Sequence, residues 1–455
     1  MSEASIKKIT LLVTSLANFI FPFNVFAINI AIPAIGTEFS MDAFTLGWVS
    51  TGFLLASAIF LIPFGKVSDI YGRKRIFMLG LLIFSTVSIP LAFSTSPLML
   101  IILRSIIGIG GAMFLGTLMA ILTGVYPIGE RGMAMGINTM AVSIGITSGP
   151  FLGGLLTQYF GWRSIFLVNF PVGMLIVALV LLKIKMEWKE AKGERFDVKG
   201  ALLYGFMFLL VMYGITSLPS LQGIVMVVIG AITFPIFLKL EKKAKDPIIN
   251  VSIFSGNRPF IFSNLAALIY FSATFAIIFI LSLYLQFSKG YSPQDAGLIL
   301  ATQSILTIIF SPIAGRLTDR YGARLIASIG MLFTTSGTAL LVSINEVTPL
   351  EFLIMNLVLL GLGAAFFNGP NQYAIMSSVE KRFLGVASGM LGTMRQIGQV
   401  LSMGIATIVL TLVVGKNQIT PDSYPLFLVS AQILFVAFAI MCFFGLLASL
   451  VRGKI

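Results

Sequence analysis

The sequence predicts an all-α integral membrane protein with fourteen transmembrane helices. Three observations carry that reading: an apolar composition, long uninterrupted apolar runs, and the placement of the basic residues. Of 455 residues, 57% are hydrophobic and 10% charged, far too apolar for a soluble chain of this length. A helix needs about 20 apolar residues to cross the hydrocarbon core, and only helices or closed barrels satisfy their backbone groups there. The runs are continuous and do not alternate as barrel strands do, so helices are expected. There is no histidine, which excludes His-based zinc sites, His-containing triads and histidine proton relays. The single cysteine, Cys442, excludes an intramolecular disulfide.

Taken in order, the first span covers 9–33. Lys7 and Lys8 precede it as in a signal peptide, but the uncharged run from Ile9 to Ile35 is too long for one, so a retained helix is expected. Spans at 44–65 and 76–96 flank the basic turn "GKVSDIYGRKR", and spans at 97–125 and 132–160 carry the glycine-rich runs "GIGGA" and "GITSGPFLGG". A span at 164–184 leads into the charged loop "KIKMEWKEAKGERFDVK", and spans at 198–218 and 221–240 end at "LEKKAKD". The remaining spans fall at 259–286, 295–314, 325–344, 350–376, 384–414 and 425–450. With both termini cytoplasmic, only Arg163, Lys289 and Lys416 of the 30 Lys+Arg lie outside, and only Arg104 and Arg395 fall within spans. This topology accounts for the net charge of +13 without nucleic acid, although the basic loops can touch anionic lipid head groups.

The chain repeats itself. "GKVSDIYGRKR" (Gly65 to Arg75) returns as "GRLTDRYGAR" (Gly315 to Arg324), "GIGGA" as "GLGAA", and "RGMAMGINTM" as "LGVASGMLGTM". Each pair is separated by eight spans, as in two parallel six-helix bundles joined by two extra helices. The expected division is an N-terminal bundle over 1–186, a linker with two accessory helices over 187–258, and a C-terminal bundle over 259–455.

Gly65, Asp69, Gly72, Arg73, Lys74 and Arg75 resemble the signature loop between helices 2 and 3 of the major facilitator superfamily. With fourteen spans, the chain resembles that family's drug:proton antiporter group, which includes multidrug and tetracycline exporters. Gly145, Gly149, Pro150, Gly153 and Gly154 resemble its antiporter motif, and Trp162, Arg163, Phe166, Asn169 and Pro171 follow the group's pattern. The resemblance implies the major facilitator fold and alternating-access export of small amphipathic compounds by antiport with protons. It also implies a monomer in the cell membrane with no cofactor or metal. Uncoupled uniport or metabolite export is the alternative. A membrane enzyme is disfavoured because no cluster of nucleophile, base and metal ligands is visible. A sensor is disfavoured because the loops near 183–199 and 241–258 are too short for an output domain.

In both signature turns, glycines permit a sharp reversal between helices, and Asp69 and Asp319 sit at helix ends. Asp69 has backbone N–H groups or Arg73 as partners; a tight basic turn that only fixes topology is the alternative, and the recurrence of Gly65, Asp69, Gly72 as Gly315, Asp319, Gly322 favours a cytoplasmic gate. In span 5 the small residues allow close helix approach and Pro150 bends the helix, which fits ordinary packing and a hinge equally. Arg104 and Arg395 are functional candidates because intramembrane charge is costly. Arg104, roughly 11 Å from its helix end, has outward snorkelling as an alternative; Arg395, roughly 17 Å deep, has Gln396 and Gln399 beside it to satisfy its donors or line a polar cavity.

No acid falls within a predicted membrane core; Glu38, Asp42, Asp295, Glu346, Glu351 and Asp422 lie outside and the rest at the cytoplasmic side. In the resembled family, span 1 carries an aspartate where this chain has Asn24, and an amide does not titrate. Further amides, Asn18, Asn29, Asn264, Gln303 and Asn371, either line a cavity or bind helix to helix, with Asn18 and Asn29 expected on one face. Tyr270, Phe271 and Tyr373 offer surfaces for a flat substrate. A core with two cations and many amides admits neutral or anionic substrates as well as the group's usual cations.

Overall fold

The computed structural model describes residues 3–127, 130–189, 193–217, 220–244, 247–248, 257–379, 384–415 and 423–453. Lys416 and Asp422 lie outside these residues, as do parts of the two longest predicted loops. Among the described residues fourteen α-helices follow one another: α1 (Glu3–Glu38), α2 (Ala43–Tyr71), α3 (Arg73–Ala92), α4 (Pro97–Val125), α5 (Arg131–Phe160), α6 (Arg163–Lys183), α7 (Val198–Thr216), α8 (Leu221–Lys243), α9 (Arg258–Leu283), α10 (Pro293–Tyr321), α11 (Ala323–Leu340), α12 (Leu350–Ser377), α13 (Leu384–Val413) and α14 (Tyr424–Val451). A π-helical turn, Tyr284–Ser288, extends α9. All fourteen are long and apolar enough to cross a membrane, as the sequence predicts.

Local chemistry sets the helix ends. Ser96, Asp197, Ser220, Asn257 and Ser292 each accept a backbone N–H three residues on, capping α4, α7, α8, α9 and α10. Pro97, Pro259 and Pro293 occupy the first turns of α4, α9 and α10, where a missing N–H costs nothing. Helices α2 and α10 run past their predicted ends at 65 and 314 to Tyr71 and Tyr321. Their polar last turns leave the apolar layer but stay helical until Gly72 (φ 125°) and Gly322 (φ 85°), whose positive φ breaks each helix in one residue.

By contact the chain forms two units. The first comprises Met1–Ile28, Val49–Gly149 and Phe160–Val251; the second comprises Asn29–Trp48, Pro150–Tyr159 and Ser252–Ile455. The chain therefore changes unit inside α1, α2 and α5. In the first unit α3 packs on α4 and α6, and α7 pairs with α8. Tyr204 anchors this accessory pair: its hydroxyl donates to the Ala58 carbonyl of α2 at 3.3 Å, and its ring packs against Phe208 and Phe237. In the second unit α9 packs on α13 and α14, α10 on α12, and α11 on α12 and α14.

The repeats seen in sequence recur as helix crossings. A methyl group at Gly108 would lie 2.4 Å from the Phe53 carbonyl oxygen; one at Gly361 would lie 2.5 Å from that of Gln303. The α3–α4 crossing brings Gly80 against Gly110, and the α11–α12 crossing brings Gly330 against Gly363. Small residues at these points let backbones touch, the packing that association in lipid favours.

Candidate functional site

Arg104 projects from α4 into the first unit and is 1% exposed. Its Nε donates to the Val49 carbonyl of α2 at 2.7 Å, and its Nη1 donates to Asn24 Oδ1 of α1 at 3.2 Å. The guanidinium carbon lies 4.8 Å from the Phe53 ring centroid and 5.8 Å from that of Phe166. The snorkelling alternative is thereby corrected: aromatic faces and two oxygen acceptors in the bundle hold the charge inward. No carboxylate faces it among the described residues. The partner is the amide that stands where the resembled family has its aspartate, and Asn24 Nδ2 is buried without an acceptor.

The other amides separate by environment. Asn18 donates to Asn138 Oδ1 of α5 at 2.8 Å, and Asn138 in turn donates to Thr14 Oγ1 at 3.1 Å. Asn29 belongs to the second unit, where its backbone carbonyl accepts from Ser282 Oγ at 2.9 Å. Asn138 was missed by sequence reasoning, although it sits within the repeated "RGMAMGINTM". Its match to the amides of α1 was the available signal.

Arg395 of α13 is half-buried, and its guanidinium carbon lies 5.1 Å from the centroid of Phe271 on α9. Gln396 and Gln399 are buried, but neither receives a hydrogen bond from Arg395, which corrects the expectation that they satisfy it. Among the described residues Arg395 has no ion pair or hydrogen bond, and its buried Nε has no acceptor. Tyr270 is buried and stacks on Phe367, centroids 4.4 Å apart, so it backs the Phe271 ring and presents no open face. Asn264 donates to Phe260 O one turn back on its own helix and links nothing.

Asn371 leads to a residue that sequence reasoning misplaced. Arg452, counted with the basic cytoplasmic tail, is fully buried at the end of α14. It donates from Nη1 to Asn371 Oδ1 at 3.0 Å and to Ser263 Oγ at 3.5 Å, from Nε to Ser449 O at 3.0 Å, and from Nη2 to Ser449 Oγ. Asn371 closes the cluster by donating to Ser263 O at 3.1 Å. Burial, assisted by the Arg324 charge, pulls Arg452 down to about 10. A basic residue just beyond a span reads as topology, and two of its acceptors, Ser263 and Asn371, lie far away in sequence.

The two signature turns differ. Asp69 Oδ1 accepts from Arg73 Nε at 2.7 Å, and Arg73 Nη1 reaches Ala120 O of α4 at 3.2 Å. At the last turn of α2 a carboxylate opposes the helix dipole, so the arginine is the partner it needs. The segment after α6 straps this turn. Trp188 O accepts from Arg73 N at 3.0 Å, Glu187 Oε1 from Lys74 N at 2.9 Å, and Lys66 pairs with Glu194. In the second turn Ala323 stands in the place of Arg73, and Asp319 is exposed with no partner among the described residues. A methyl group at Gly315 would meet open space.

The span 5 motif divides between the units. Methyl groups at Gly145 and Gly149 would strike α1, 2.4 Å from Phe19 O and 2.7 Å from Phe26 Cβ. Beyond that point, a methyl at Gly154 would lie 2.6 Å from Pro293 O, and one at Gly297 of α10 would lie 2.4 Å from Pro150 O. Gly153 O accepts from Thr157 Oγ1 at 2.7 Å.

Comparison with known proteins agrees with this architecture. A family model described as Major Facilitator Superfamily matches residues 14–292 and 263–453. The riboflavin transporter RibZ of Clostridioides difficile is 28% identical over 97% of this chain and 96% of its own length. Multidrug resistance protein Stp of Mycobacterium tuberculosis is 30% identical over 87% of this chain and 74% of its own length. A tetracenomycin C resistance and export protein of Streptomyces glaucescens is 29% identical over the same shares, 87% and 74%. Among solved structures, a POT family transporter in complex with 5-aminolevulinic acid superposes with a TM-score of 0.73 at 16% identity, covering 98% of this chain and 96% of its own. The chain is a multi-pass membrane transporter, not an enzyme, and it belongs to the Major Facilitator Superfamily, alongside that family's drug exporters.

Proposed function

We propose that this transporter exports small amphipathic compounds across the cell membrane by alternating access, both termini cytoplasmic, in exchange for protons. Relatives named for multidrug resistance and tetracenomycin export support the direction. The observation that carries the reading is Arg395: a partly accessible guanidinium deep in α13, unpaired among the described residues, with its central carbon over the Phe271 ring. A charge costs at least about 2.5 kcal/mol at the membrane centre, and a contact with substrate would offset that cost. In this reading Asp69 and Asp319 work the cytoplasmic gate and are the carboxylates placed to exchange protons.

One contact favours a second reading, export of neutral or anionic compounds without proton exchange. The α1 position that would carry the proton is Asn24, held by Arg104. Flux of a panel of cationic, neutral and anionic compounds in proteoliposomes tests export itself. Arg395→Ala is expected to abolish flux while expression is retained; full flux in that variant would show the arginine to be dispensable.

A further inference from the structure

We infer that Arg395 is an anion-recognising pole, and that the substrates are planar aromatic compounds bearing a carboxylate or equivalent anionic group. The inference rests on the exporter reading and adds the charge class. Its starting point is an imbalance. Every Asp or Glu on the fourteen helices lies in a terminal turn, whereas Arg104 and Arg395 lie well inside theirs. Arg104 is spoken for, with two acceptors and two aromatic rings around a buried guanidinium.

The guanidinium carbon of Arg395 sits over the Phe271 ring, and no acceptor among the described residues takes up the N–H groups, which a guanidinium carries in its own plane. Those in-plane donors form the fork that a carboxylate matches in bidentate fashion. Nε lacks an acceptor, and the residue retains partial exposure through which one can arrive. Phe271, itself half-buried and backed by the Tyr270–Phe367 stack, gives an aromatic ligand a firm surface beside the charge. A cationic ligand would bring like charge to a guanidinium that no nearby acid neutralises among the described residues.

Binding to the full chain in zwitterionic nanodiscs, in chloride-free buffer, tests this without interference from anionic lipid or small anions. The probes are an anthracene carboxylate, the matching carboxamide and the matching aminomethyl cation, read by fluorescence anisotropy. The carboxylate is expected to bind about tenfold tighter than the carboxamide, the scale of a charge-assisted contact, and the cation weakest. Arg395→Gln is expected to erase the carboxylate preference, and Arg395→Lys to keep part of it. Equal affinity of the unaltered protein for carboxylate and carboxamide, or a preference for the cation, overturns the inference without recourse to any variant. Flux of the same probes in proteoliposomes separates the two readings. Transport that ranks the cation first overturns the charge class and leaves export standing. Tight carboxylate binding with no movement of any probe supports the anion site and overturns export.

Discussion

At the scale of single residues, the contact that most changes the reading is Arg104 with Asn24. The arginine only donates, so Asn24 must turn its oxygen toward it, which leaves Nδ2 buried and idle. Asn24→Ala removes the Nη1 acceptor and is expected to lower stability by about 1–3 kcal/mol, seen as a lower midpoint in a thermal unfolding assay in detergent. Asn24→Asp replaces the idle donor by a second acceptor and is expected to restore or exceed the original midpoint. Both residues were legible in the sequence as polar exceptions in apolar spans, and Asn24 as a departure from the resembled family. Their pairing was not, because two helices distant in sequence meet through side-chain directions that hydropathy does not encode. Arg452 shows the opposite failure: its position just past a span concealed a buried charge whose acceptors, Ser263, Asn371 and Ser449, come from three helices.

At the scale of elements, that cluster ties the end of α14 to α9 and α12. Arg452→Ala leaves Asn371 Oδ1 without its donor and is expected to lower the thermal midpoint by more than Asn264→Ala, whose amide bonds only within its own helix. A smaller or equal loss would show the cluster to be incidental. The span 5 motif acts as a packing surface at both ends, and Gly297→Ala should force α10 from α5 because Pro150 O lies 2.4 Å from the new methyl. The expected readout is faster labelling of an introduced Gln294→Cys by an impermeant maleimide; the native Cys442 is buried and silent. Helix number was legible because hydropathy dominates over about 20 residues, and the true ends of α2 and α10 were not, because their last turns are polar yet still helical. Gly72 and Gly322 were the stop signals.

At the scale of the whole molecule, coupling is the central matter. The acids of the helices sit in terminal turns, and the deep polar positions are arginines, amides and hydroxyls. A transporter built this way has an amide, which does not titrate, at the α1 position where the resembled family carries an aspartate. The repeated signature turn was readable as a repeat, and Ala323 in the place of Arg73 marked one difference in the sequence; the strap from the segment after α6 emerged only in three dimensions. The first turn is pinned by Arg73 and strapped by Glu187 and Trp188, while the second stands open. The most direct measurement is substrate-driven proton movement in proteoliposomes loaded with a pH dye, comparing the unaltered protein with Asn24→Asp at matched substrate flux. A larger proton flux per substrate in Asn24→Asp is the predicted result, since the carboxylate would supply the missing titrating group beside Arg104. Identical proton flux in the two proteins would contradict the account and show that the Asn24–Arg104 pair plays no part in coupling.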